Sequence, residues 1–230
     1  MDPDDLYAKP TITSTDLEFE RDVAALPLER PVPSAVVRTL SLLLEVLLND
    51  KFNNNPYEVN AMGHVLLTAQ GIASAPCLGE VGFEHCPYEH AWLEIDGAIY
   101  DLAIDVRPRH LEFLLPSAPM VIAGLHLDGE PHGLLYGIDP DSYGGGLTPH
   151  ALRSFAEPRT LPEYFDFQKG LYLSLWETLE LLSEYLDLSL DEATIRKAHA
   201  DTRWTVRADK QVPKALAKHW RWTAGFREGA

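Results

Sequence analysis

The sequence predicts an α+β fold: N-terminal helices packed on an antiparallel sheet, followed by a mostly helical C-terminal part. Three observations predict it. Apolar residues recur at three- and four-residue spacing between 34 and 70. From 75 to 105 the pattern changes to period two. Helical spacing returns from 169 to 199.

Residues 1–33, rich in Pro, Asp and Thr, read as an irregular lead-in with a short helix near 16–25. Ser34 can cap a helix reaching about 49, with Val36, Val37, Leu40, Leu43, Leu44, Leu47 and Leu48 on its apolar face. Asn53-Asn54-Asn55-Pro56 is a polar turn before a second helix, 57–70, which stops at Gly71. Three antiparallel strands follow, at 75–83, 90–95 and 98–105. Asp96-Gly97 is a two-residue type I′ hairpin signal, because both central residues need positive φ. That turn sets Ile95 opposite Ala98, Leu93 opposite Tyr100 and Trp92 opposite Asp101. With 84–89 as the preceding loop, Phe83 falls opposite His90 and Cys77 opposite Asp96.

Beyond 105, Pro108, Pro116 and Pro119 break regular structure, and 120–127 reads as a fourth strand. Residues 129–149 read as loop, with Gly144-Gly145-Gly146 at its tip, and 151–167 as a connector interrupted by proline. A helix at 169–186 aligns Leu171, Leu175, Leu179, Leu182 and Leu186, and another at 191–199 begins near Asp191. Residues 1–150 therefore form the expected α+β core with its lead-in, and 151–230 a helical extension packed on it.

With 230 residues the chain can bury a substantial core. The formal net charge is −16, unevenly placed. Residues 196–230 carry nine Lys and Arg against three Asp and Glu, so the rest of the chain is strongly acidic. An acidic body argues against binding nucleic acid over a broad face. The basic segment, with Trp204, His219, Trp220 and Trp222, is expected to pack on the acidic body of its own chain or of a second subunit, as in a homo-oligomer. No apolar run reaches the roughly 18 residues of a membrane span. The acidic start MDPDDLYAKP has no apolar signal region, and two cysteines make no disulfide framework, so the expected location is cytoplasmic.

The chemistry concentrates in 90–101. Side chains alternate faces along a strand, so His90, Trp92 and Asp101 share one side of the hairpin. An aspartate beside an imidazole orients it and stabilises its charged form, as a general base requires. Two thiols are present. Cys77, early in the first strand, falls roughly 20 Å from His90 in this register and reads as a core residue. Cys86 falls in the loop just before His90 and is the thiol to consider as nucleophile. Glu84-His85-Cys86 with Glu89-His90 also offers zinc-type ligands in a short stretch, without a C-x-x-C or H-E-x-x-H spacing. No other cofactor is indicated.

Helix, strand, a strand opening His90-Ala91-Trp92, then a strand bearing Asp101 resembles the transglutaminase-like branch of the papain-like fold. Gly71-Ile72 at the helix end and Asn60-Ala61 near its start match that pattern as well. The resemblance covers about residues 55–105. It implies cleavage or transfer of an acyl group at an amide or ester. It makes His90 the general base, Asp101 its orienter and Trp92 a wall of the cleft, with Glu58 and Asn60 in the first helical turn facing His90 and able to contact a ligand. The family carries its nucleophilic cysteine at the start of this helix, three residues before the Asn; here that position holds Tyr57. Three functions stay open: a thiol-dependent amide or ester hydrolase or acyl transferase using Cys86, a catalytically inactive relative that binds a peptide or protein, and a zinc-dependent hydrolase.

Overall fold

The computed structural model describes residues 14–48, 56–83, 86–103, 120–143, 156–168, 174–214 and 217; of 14–16, 83, 86 and 143 it describes the backbone alone. Its helices and antiparallel sheet form the α+β architecture expected from the two periodicities. The Asn53–Asn55 turn, the triple-glycine tip and the tail beyond 217 lie outside the described residues.

Helix α1 (Ser14–Ala24) packs on α2 (Ser34–Leu48), which buries Val36, Leu40, Leu43, Leu44 and Leu47. Helix α3 (Pro56–Ala69) lies between α2 and the sheet and is buried almost all round, from Tyr57 to Leu67. It ends at Ala69, and Gly71, the expected stop, follows with a φ of 76°. The Ile72 amide donates to the Leu67 carbonyl at 3.0 Å and the Gly71 amide to Thr68 at 2.9 Å, so the last carbonyls of the helix are satisfied.

The main sheet comprises β1 (Ser74–Phe83), β2 (Cys86–Ile95), β3 (Ala98–Tyr100), β6 (Leu135–Ile138) and β7 (Thr205–Arg207). Its order is β3-β2-β1-β6, and β7 runs parallel to β1 along Cys77–Gly79. The β2–β3 turn forms as expected. Asp96 and Gly97 have φ of 51° and 78°, and Leu93 pairs with Tyr100.

The β1–β2 register corrects the sequence reading. Phe83 pairs with Cys86, not with His90; His90 pairs with Gly79, and Cys77 with Trp92. Pro87, inside the stretch expected as loop, sits in β2 opposite Gly82. The fit is physical. β3 pairs β2 only at Leu93–Ile95, so at Pro87 the ladder on that side asks for no amide donor among the described residues.

Alternation along β2 splits the core in two. Ala91, Leu93 and Ile95 join the large cluster under α3. Tyr88 and Trp92 join Cys77, Val81, Val121, Leu134 and Tyr136 on the opposite face.

Four other elements differ from expectation. The fourth strand is a small hairpin, β4 (Val121–Ile122) with β5 (Leu125–His126), in its own sheet. β6 lies within the expected 129–149 loop and is followed by a 3-10 turn at Pro140–Tyr143. Helix α4 (Leu161–Phe167) lies in the expected connector: Thr160 caps it, Glu163 completes the reciprocal capping box, and proline is accommodated in the first turn. The expected 169–186 helix is α5 (Leu175–Tyr185), capped by Ser174 and Glu177. Helix α6 (Glu192–Ala198) is capped by Asp191, as expected. The C-terminal part also supplies β7 to the main sheet, so it is more than a helical extension. Among the described residues no helix is long and apolar enough to cross a membrane.

Candidate functional site

Asp101 organises the site. Its backbone exchanges two hydrogen bonds with Val121 at the start of β4, at 2.7 and 3.0 Å, which fixes the chain just past β3. Its carboxylate is fully buried and receives three donors. His90 Nε2 lies 2.8 Å from Oδ2 and 3.0 Å from Oδ1. The Ala103 amide donates to Oδ1 at 3.0 Å, and the Tyr136 hydroxyl to Oδ2 at 2.7 Å. A carboxylate met only by donors assigns the proton of His90 to Nε2. Nδ1 is the nitrogen Asp101 does not engage, so it is the one suited to accept a proton.

The spacing of His90 and Asp101 follows from the hairpin. Leu93 opposite Tyr100 continues to Trp92 opposite Asp101, which makes His90 the diagonal neighbour of Asp101 on the same face. Gly79, directly opposite His90, carries no side chain there. A Cβ at Gly79 would lie 2.5 Å from the Arg207 carbonyl and 2.9 Å from the Trp92 ring. Glycine therefore lets β7 approach and lets the indole lie across β1. The Tyr88 ring meets His90 edge-on at 5.7 Å between centroids.

Tyr136 escaped the sequence reading because β6 sits in a stretch read as loop. The run Leu134-Leu135-Tyr136-Gly137-Ile138, bounded by Gly133 and Pro140, was the available signal. Burial, and then the Asp101 carboxylate, hold the Tyr136 phenol well above its ordinary range, so it stays a donor. Its ring also packs edge-on against Trp92 at 5.1 Å and His132 at 5.6 Å.

The other candidate residues are engaged within the protein. Trp92 has no exposed surface: it is a core residue that supports Tyr136, not the wall of an open cleft. Tyr57, at the start of α3, donates its hydroxyl to Glu89 and packs edge-on against Trp204. Asn60 donates to the Pro56 carbonyl at 2.7 Å and to the Ala91 carbonyl at 2.9 Å, tying α3 to β2. Glu58 is buried in the first turn of α3. The sequence reading set Glu58 and Asn60 facing His90. Instead α3 meets β2 through Glu89 and Ala91, the two neighbours of His90 that alternate to the other face.

Neither thiol is placed as expected. Cys86 opens β2 rather than lying in a loop. Four residues of extended strand separate its Cα from that of His90 by roughly 13 Å, against about 4.5–5.5 Å for a direct cross-strand pair. Cys77 is nearer than the roughly 20 Å expected, because its partner Trp92 is two residues from His90. Its Cα is diagonal to that of His90, at about 7–8 Å. Burial, and then Glu94, push the Cys77 thiol up to about 12, and Sγ lies 3.6 Å from the Ala75 carbonyl, so it is not a thiolate near neutral pH.

Of the zinc-type ligands, Glu84 and His85 and the side chain of Cys86 lie outside the described residues. Among the described residues no three His, Cys, Asp or Glu side chains gather as a metal would require. No protein-family model, curated protein or solved structure matches this chain.

Proposed function

We propose that this chain is a transglutaminase-like α+β protein that keeps a His–Asp dyad without an activated thiol, and that it acts as a binding module for a peptide or protein. The observation that carries this reading is Tyr57. By the sequence resemblance it holds the position of the family's nucleophile, and its hydroxyl is held by Glu89, on the face of β2 opposite His90. A phenol has an intrinsic pKa near 10 and is a weak nucleophile next to a thiolate. Cys77 supports the same reading, since its thiol is kept protonated by burial.

The His90–Asp101 pair favours a second reading, a thiol-dependent hydrolase or acyl transferase with Cys86 as nucleophile. The dyad has the bond an orienting aspartate makes to a general base. Iodoacetamide alkylation of Cys77 and Cys86, followed by mass spectrometry from pH 5 to 9 in wild type and His90→Ala, separates the two. The binding-module reading expects Cys86 to react with an ordinary thiol pH profile that His90→Ala leaves unchanged. Rapid Cys86 alkylation at pH 6, slowed roughly tenfold or more in His90→Ala, would overturn it in favour of the enzyme.

A further inference from the structure

Two histidines from distant parts of the chain meet in the interior. His64 lies on α3 and is 7% exposed; His199 is the C-cap of α6 and is 4% exposed. Their rings meet edge-on with centroids 5.2 Å apart. His64 Nδ1 lies 2.9 Å from the Ser74 hydroxyl of β1, and His199 Nδ1 lies 3.3 Å from the Thr202 hydroxyl. The contact joins the core to a segment that continues into the sheet. Leu161 donates its amide to the Thr202 carbonyl, Arg203 bridges to Thr160, and Thr205–Arg207 pair with Cys77–Gly79.

We propose that His64 and His199 form a pH-sensitive latch: neutral, they hold the α6–β7 segment against α3, and on acidification the two charged rings repel and loosen that segment. Charge is poorly accommodated at this contact. His64, Ser74, His199 and Thr202 meet there, and the hydroxyls of Ser74 and Thr202 are the polar groups that touch the two ring nitrogens Nδ1. Burial, and then the charge on His199, hold His64 down from 6.5 to about 4; burial lowers His199 as well. Both folded values lie below the unfolded one. The stability they contribute is therefore fully present above about 6.5, and is lost as pH falls towards the folded values. For His64 alone the folded-to-open ratio falls on the order of 20-fold between pH 7 and pH 5.

Amide hydrogen exchange, corrected for the intrinsic pH dependence, tests this at pH 7 and pH 5. The latch predicts that protection across 192–207 falls roughly tenfold or more at pH 5 while the β2–β3 hairpin keeps its protection. His199→Asn places an uncharged donor where Nδ1 stands and should remove most of that loss. Unchanged protection of 192–207 at pH 5, or an equal acid loss in His199→Asn, would overturn the proposal. NMR titration of the histidine rings in the wild-type protein needs no variant. Both rings titrating below about 6 supports the latch, and both titrating at an ordinary 6.5 contradicts it.

Discussion

At the residue scale, the weight of the site rests on Asp101. Replacing it with Ala strands the His90 Nε2–H, the Tyr136 hydroxyl and the Ala103 amide in the interior. Breaking a buried pair in this way costs roughly 3–5 kcal/mol, so urea denaturation of Asp101→Ala should show a loss of that order. Tyr136→Phe keeps the ring against Trp92 and His132 and removes one donor to a charged acceptor. Its loss should be smaller, about 1.5–3 kcal/mol. Equal losses in the two variants would mean that Asp101 is held mainly by Tyr136. His90 and Asp101 were legible in the sequence because an Asp-Gly turn sets the register and the register sets the neighbours. Tyr136 was not, since a four-residue strand flanked by Gly and Pro gives almost no periodic signal.

At the scale of elements, the β1–β2 hairpin teaches the clearest lesson. Pro87 lies in the stretch expected as loop, 84–89, but proline is tolerated where a strand needs no amide donor on that side. A four-residue error in the start of β2 displaced Cys77 from its true partner and gave Cys86 a loop position that it lacks. The arrival of β7 was illegible for another reason: a parallel partner far along the chain leaves no local trace. Its mark is Gly79, where any side chain would collide with the Arg207 backbone. Gly79→Ala should destabilise the protein by about 1–3 kcal/mol, in the range of overpacked core sites. Hydrogen exchange should show the β7 amides losing protection before those of β3.

For the molecule as a whole, the helical layers and the change to sheet were legible because long amphipathic segments bury one face and so carry a strong pattern. The joining of the two parts was not, because a parallel strand pairing and a core shared between segments far apart in the chain leave no local pattern; with them come polar contacts such as Arg207 with Glu94 and His64 with His199. Those contacts shape the pH response. Burial alone would raise the Glu94 carboxyl, but Arg207 outweighs it and holds it below its usual value. The Glu94 contribution is therefore present at neutral pH and is lost as pH falls through its lowered folded value. His64, His199 and His132 are lowered chiefly by burial, so their contributions are lost earlier, from about 6.5 downwards. Urea midpoints measured from pH 8 to pH 4 should thus begin to fall between pH 7 and pH 6. A midpoint that stayed flat down to pH 5 would contradict the burial of neutral imidazoles in this fold.

The buried Asp101 holds His90 with its proton on Nε2, leaving Nδ1 as the nitrogen that Asp101 does not engage. Long-range nitrogen–proton correlation NMR on histidine-labelled protein near pH 8 reads the tautomer directly. His90 should give an Nε2–H signal, identified by its absence in His90→Gln, and its nitrogen pattern should change in Asp101→Ala. An Nδ1–H tautomer in the wild type, or a His90 signal indifferent to the loss of Asp101, would contradict this hold of Asp101 on His90.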